Sequence, residues 1–224
     1  MTKETYCLLE HHMRTCMQDS AHDTEHVYRV LSNALEIAGD NPAVDYDILI
    51  AACLLHDIGR ADQFADPTVC HAEAGARKAE RFLLEQGFSA AFTAAVCHCI
   101  AAHRFRKHSP PQTLEAKILF DADKLDVTGA IGVARTLEYQ GALALPLYGL
   151  LEDGTVSDGA GDRQETFFQE YHRKLEGIYN LFLTDRGTEL ARSRQKAAAA
   201  FYASLLEEIR ASRNLSALEQ LLED

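Results

Sequence analysis

The residues able to do chemistry in this chain stand out because they interrupt apolar helical faces. The most hydrophobic stretch, Ala51-Ala52-Cys53-Leu54-Leu55, runs directly into His56-Asp57 and then Ile58-Gly59-Arg60. A carboxylate so close to a core needs a cation or several hydrogen-bond donors to offset its desolvation. Two readings of the dipeptide stand: a functional pair, or a turn-capping Asp57 beside a hydrogen-bonded core histidine. The second interruption is Leu119-Phe120-Asp121-Ala122-Asp123-Lys124-Leu125-Asp126, with three carboxylates inside an otherwise apolar segment. On a helix Asp123 shares the buried face with Leu119 and Asp126, whereas Asp121 lies roughly opposite. A buried helical carboxylate at Asp123 points to a metal. For Asp121 the competing reading is a solvated face, and for Asp126 a place behind a histidine that it orients. His26, in Glu25-His26-Val27-Tyr28-Arg29-Val30, is the third element; taken alone it reads as a surface or packed histidine.

Together these residues resemble the HD phosphohydrolase superfamily, whose pattern is a helical His, a His-Asp pair closing another helix, and a distant helical Asp. The match is His26 within HxxRV, His56-Asp57 within LLHDIGR and Asp123 within DADKLD, with 30 residues from His26 to His56 and 66 from Asp57 to Asp123. The words HAEAGAR from His71, IAAHRFR ending at Arg106 and LDVTGAIGVAR ending at Arg135 are similar to one soluble bacterial subgroup of small HD hydrolases. The resemblance spans about Ala21 to Tyr139, and more loosely Phe167 to Leu183 with Lys174. It implies an all-α bundle in which His26, His56, Asp57 and Asp123 bind one divalent metal. Two imidazoles and two carboxylates would close a tetrahedral zinc site but leave about two open positions on an octahedral ion, which favours Mn²⁺, Fe²⁺, Mg²⁺, Co²⁺ or Ni²⁺. Such an ion makes water attack on phosphorus feasible near neutral pH.

In dinuclear members of the superfamily two further histidines hold a second ion with the bridging Asp, and His71 and His103 look similar to that pair. The downstream GYP-type motif is absent, and His103 leads into Arg104-Phe105-Arg106 instead of a second His and a Glu. The expectation is therefore one ion, with Asp57, His71 and His103 as catalytic groups that contact phosphate or move protons. His98 is read as a core residue and His108 as a surface one. Arg60, Arg104, Arg106, Lys124, Asp126 and Lys174 complete the expected substrate side. Tyr139 and Phe105 are read as core aromatics, with stacking on a base as the alternative. The expected activity is hydrolysis of a small phosphorylated metabolite, a nucleotide, as a pyrophosphohydrolase or phosphomonoesterase. The rivals are a dinuclear cyclic-nucleotide phosphodiesterase and a catalytically silent helical sensor.

These groups must be positioned by helices. Val27, Val30, Leu31, Ala34 and Ala38 form one amphipathic stripe, and Tyr46 to His56 is apolar all round with Asp45 as N-cap. Helices are also predicted over Cys70–Gln86 with Gly87 at its end, Ser89–Phe105, Thr113 to about Tyr139, Gln164–Leu183, Thr184–Ile209 and Ser216–Leu222. No strand is predicted. Gly141 to Asp162, with five glycines, is expected to be a flexible loop or flap over the pocket within one HD-type domain.

The 224 residues are 47% hydrophobic and 25% charged, which excludes whole-chain disorder. With 22 Lys+Arg against 34 Asp+Glu the net charge is -12, a field that repels nucleic-acid polymers and anionic membranes, so any phosphate must be held locally. Six cysteines without a CxxC pair are read as buried reduced thiols. The N-terminus has no basic region leading into an apolar run, so a cytoplasmic location is expected, with a homodimer as one possible assembly.

Overall fold

A computed structural model describes residues 1–17, 24–104, 109–213 and 221–222, and its chain divides into two compact units. The first comprises Met1–Asp126 and Phe182–Gly187. Four of its helices start where short polar side chains accept the orphan backbone N–H groups of a first turn. Thr2 caps α1 (Lys3–Cys16), and Asp45 accepts from the Asp47 and Ile48 amides to open α3 (Tyr46–Leu55), after α2 (Thr24–Ala38). A short α4 (Arg60–Ala65) leads to α5 (His71–Glu85). Ser89 then caps α6 (Ala90–Ala102), and Thr113 caps α7 (Leu114–Leu125). The apolar α3 is the hub: Leu49 and the run Ala51 to Leu55 are wholly buried, and α3 packs on α1, α2, α6 and α7. Burial of its C-terminal half on all sides is what that run's uniform hydrophobicity demands, while the first turn keeps Asp47 exposed.

One close approach sets the turn after His56-Asp57. A Cβ at Gly59 would lie 2.2 Å from the His71 carbonyl oxygen and 2.4 Å from the Gly75 nitrogen, so only glycine lets α4 and α5 meet there. Gly59→Ala is expected to cost about 1–3 kcal/mol, as overpacking does, and to push His71 away from Asp57. Urea unfolding checks this; an unchanged midpoint would show that the backbone has room.

The second unit comprises Val127–Leu181 and Thr188–Asp224. It holds α8 (Gly129–Ala142), α9 (Phe167–Glu170) running into a π turn at Tyr171–Leu175, a 3₁₀ turn at Ile178–Asn180, and most of α10 (Asp185–Ser212). Val133, Val156, Phe167, Phe168, Tyr171, Leu175 and Ala198 form its core. Within 141–162 the chain makes a small hairpin with a bridge between Leu150 and Val156 and a hydrogen bond from the Ser157 N–H to the Gly149 carbonyl. Among the described residues there is no strand, and no helix is long and apolar enough to cross a membrane. The all-α expectation holds.

Several boundaries differ from the sequence reading. The segment from Thr113 to Tyr139 is two helices, because Thr128 is extended and Gly129 takes φ +61, a left-handed conformation that ends any continuous helix. Gln164–Leu183 is not one helix but the short α9 with its π and 3₁₀ turns. The helix after Ser89 ends at Ala102; Phe105, Arg106 and His108 lie outside the described residues, as does most of Ser216–Leu222. Only Cys53 and Cys99 are buried thiols, since Cys7 is exposed and the other three are partly exposed. Asp121 is not a solvated residue. It is completely buried and accepts from the Leu183 and Thr184 amides and the Thr184 hydroxyl, fixing the segment that precedes α10.

Candidate metal centre

The centre lies wholly in the first unit and is assembled from helix ends. His56 and His103 cap the C-termini of α3 and α6. Each folds its ring back so that Nδ1–H donates to a carbonyl three residues earlier in the last turn, at Cys53 (2.7 Å) and Ile100 (2.6 Å). His26 sits in the first turn of α2 and donates from Nδ1 to Asp126 Oδ2 at 2.7 Å. His71 is the first residue of α5 and donates from Nδ1 to Gln63 Oε1 at 2.5 Å. With every Nδ1 spent on an oxygen, a ring in its neutral form carries its lone pair on Nε2, and all four Nε2 atoms face inward.

Two clusters result. His26 Nε2 lies 3.4 Å from His56 Nε2 and 3.2 Å from Asp123 Oδ1. His71 Nε2 lies 3.2 Å from His103 Nε2 and 3.4 Å from Asp57 Oδ1. Asp57 joins them, with Oδ2 3.6 Å from both His26 and His56 and Oδ1 3.7 Å from His103. Two donors on adjacent octahedral sites about 2.1 Å from one ion are themselves about 3.0 Å apart, and on tetrahedral sites about 3.4 Å, so the spacing is that of a shared cation. Asp57 Oδ1 is buried without a hydrogen-bond partner, and the His71 and His103 lone pairs point at one another and at this oxygen. Such an arrangement is costly unless positive charge lies among the donors. The donor set therefore fits a divalent ion.

The electrostatics agree. Burial and the neighbouring cationic groups push His71 down to about 3, against the pull of Asp57; burial and His56 push His103 down to about 4. Burial alone would raise the Asp57 and Asp123 carboxyls, but the surrounding histidines, with Arg60 at Asp57, hold both well below the usual carboxylate range. Asp123 keeps 27% of its side chain exposed while the four histidines and Asp57 are buried.

Other expected site residues fall as follows. Asp126 is buried behind His26 and takes Arg29 through both oxygens, from Nε at 2.7 Å and Nη2 at 3.1 Å, so it orients the ring. Arg60 reaches Asp57 Oδ2 at 3.0 Å. Arg104 borders Cys70 at 4.0 Å, and Lys124 lies over the Phe120 ring, 4.4 Å from its centroid. Lys174 belongs to the second unit, where it pairs with Glu170. Two expectations of burial fail: His98 is half-buried and accepts from the Gln112 amide, and Tyr139 is 64% exposed. Sequence reasoning missed Gln63 and the role of Arg29. The latter was signalled by its place three residues after His26, one helical turn along the same face.

The HD domain family model matches residues 24–128, a span that holds all six converging donors. The chain carries an HD domain over these residues. The chain is similar to the Bacillus subtilis protein YpgQ, 29% identical over 196 residues that cover 86% of each chain. The crystal structure of YpgQ in complex with ADP aligns with a TM-score of 0.70 at 24% identity, over 92% of this chain and 95% of that one. A predicted HD superfamily hydrolase from an uncultured Thermotogales bacterium aligns at 29% identity and a TM-score of 0.60, over 92% of both chains. An HD-superfamily hydrolase from Bacillus thuringiensis aligns at 26% identity and 0.70, over 93% of this chain and 98% of that one. The HD fold and the His/Asp cluster support a metal-dependent hydrolase.

Proposed function

We propose that this HD-domain protein hydrolyses a phosphoanhydride or phosphomonoester bond of a nucleotide. The carrying observation is the buried Asp57 carboxylate facing two groups of inward-turned donors, one oxygen orphaned. A divalent ion bound there would acidify water and neutralise phosphate charge. The ADP complex of YpgQ supports a nucleotide as the substrate class. The chain's own residues hold the donors in place: Asp126 and Arg29 orient His26, the Cys53 and Ile100 carbonyls orient His56 and His103, and Arg60 steadies Asp57. Arg60, Arg104 and Lys124 of the first unit are the proposed phosphate contacts, supplying local positive charge in a chain of net charge -12.

The first reading places one ion on His26, His56, Asp57 and Asp123, with His71 and His103 as proton carriers. A second places another ion on Asp57, His71 and His103, and a specific observation favours it. Rings held at about 3 and 4 are weak bases near neutrality, and two lone pairs 3.2 Å apart suit a shared cation better than a proton relay. Elemental analysis of the purified protein after metal loading separates one ion per chain from two.

A screen of nucleoside mono-, di- and triphosphates with Mn²⁺, reading phosphate and pyrophosphate separately, tests the activity. Nucleotide binding without any product would replace the enzyme by a sensor. On the best substrate, Arg104→Ala and Lys124→Ala are each expected to lower kcat/KM about ten- to a hundredfold, the loss of one charge-assisted contact worth about 1.5–3 kcal/mol. Unchanged kinetics in both variants would remove these residues from the substrate side.

A further inference from the structure

The four inward-facing histidines are not held alike. His56 and His103 stand at helix C-termini, where last-turn carbonyls can accept from the ring, and His26 has a carboxylate behind it. His71 opens α5, where the unsatisfied backbone groups are N–H donors, so no carbonyl of its own helix can take the Nδ1 proton. Its acceptor must come from another element, and Gln63 Oε1 on α4 supplies it at 2.5 Å. The short α4 is in turn pinned to α5 by the pair between Lys78 and Asp62, by Lys78 reaching the Ile58 carbonyl, and by the Gly59 approach to Gly75.

We propose that Gln63 is the positioning residue that fixes the His71 tautomer, keeping the proton on Nδ1 and the Nε2 lone pair turned toward Asp57 and His103. The proposal rests on the metal reading above for its purpose, though not for its measurement. Without an oxygen at position 63, the proton has a better place on Nε2, where Asp57 Oδ1 lies 3.4 Å away without a hydrogen-bond partner. That tautomer would offer an N–H to the centre in place of a lone pair, and an imidazole in that state cannot ligate through Nε2. Gln63 touches neither substrate nor ion; it acts through the ring.

Long-range ¹H–¹⁵N correlation spectra of the full chain, uniformly ¹⁵N-labelled and stripped of metal by a chelator, read the tautomer directly. The wild type is expected to show His71 protonated on Nδ1, and Gln63→Leu on Nε2. Gln63→Glu keeps an acceptor and is expected to keep the wild-type tautomer. In Mn²⁺ titrations, Gln63→Leu should weaken one binding step about ten- to a hundredfold, as loss of a group behind a ligand does, with Gln63→Glu restoring it. An Nδ1-protonated His71 in Gln63→Leu, or Nε2 protonation already in the wild type, overturns the proposal. A wild type that takes up no Mn²⁺ overturns the metal reading instead, and the spectra still decide what Gln63 does.

Discussion

Asp57→Ala is expected to abolish metal uptake and turnover together, a larger loss than any other single substitution in the chain. Among the described residues Asp57 alone faces both clusters, Oδ2 toward His26 and His56 and Oδ1 toward His71 and His103. Removing it leaves two groups of imidazoles without the anion that joins them. A partner behind a ligand is worth about ten- to a hundredfold in affinity. A bridging ligand that also supplies negative charge should exceed that range, so that no ion is retained through gel filtration. The metal-free fold should survive, because Ala removes a desolvated carboxylate whose nearest cation, Arg60, is partly exposed and can turn to water. Elemental analysis and circular dichroism of the purified variant provide the check. A folded Asp57→Ala protein carrying wild-type metal would place the ion elsewhere.

The sequence made the donors legible because polar residues on apolar helical faces are conspicuous. His56-Asp57 ends an all-apolar run, and Asp123 shares its face with Leu119; the structure brings both together with His26. N-caps at Asp45, Ser89 and Thr113 were equally readable, since each is a short polar side chain just before an apolar segment. What stayed hidden depends on contacts between distant residues. The bond from Arg29 to Asp126 spans 97 positions, and nothing in either local sequence announces the other. Gln63 is one amide on a six-residue helix, with no periodicity to mark it. Asp121 and Asp123 look alike in sequence, yet the first anchors Leu183 and Thr184 while the second faces His26. The break at Thr128-Gly129 did carry a signal. The apolar pattern through Val127 and Val133 masked it, because periodicity alone cannot tell one helix from two in succession.

The stability of the metal-free protein is expected to peak near pH 6.5 and fall toward pH 9, while its affinity for Mn²⁺ rises over that same interval. Burial alone would lower the His26 pKa, but hydrogen bonds to Asp123 and Asp126 and the charges of Asp123 and Asp57 outweigh it and hold the ring up to about 9. In the unfolded chain an imidazole titrates at about 6.5. The folded protein thus binds this proton more tightly, so the stabilisation is complete below about 6.5 and is lost as pH climbs through 9. A difference of that size corresponds to about 3 kcal/mol. His71 and His103 work in the opposite sense: held down to about 3 and 4, they favour the fold once the unfolded rings lose their protons, so stability rises from about pH 4 to 6.5 and is level above it. An ion requires Nε2 of His26 without its proton, so binding at pH 7.5 should release close to one proton from this ring and tighten as pH increases. Urea midpoints in chelator at pH 6.5 and 9 measure the first effect, with His26→Asn as the variant in which the fall disappears. Calorimetric Mn²⁺ titrations in buffers of different ionisation enthalpy count the protons. A midpoint that is level between pH 6.5 and 9 in the wild type, or binding that releases no proton at pH 7.5, would show that the carboxylates around His26 do not hold a proton that the metal must displace.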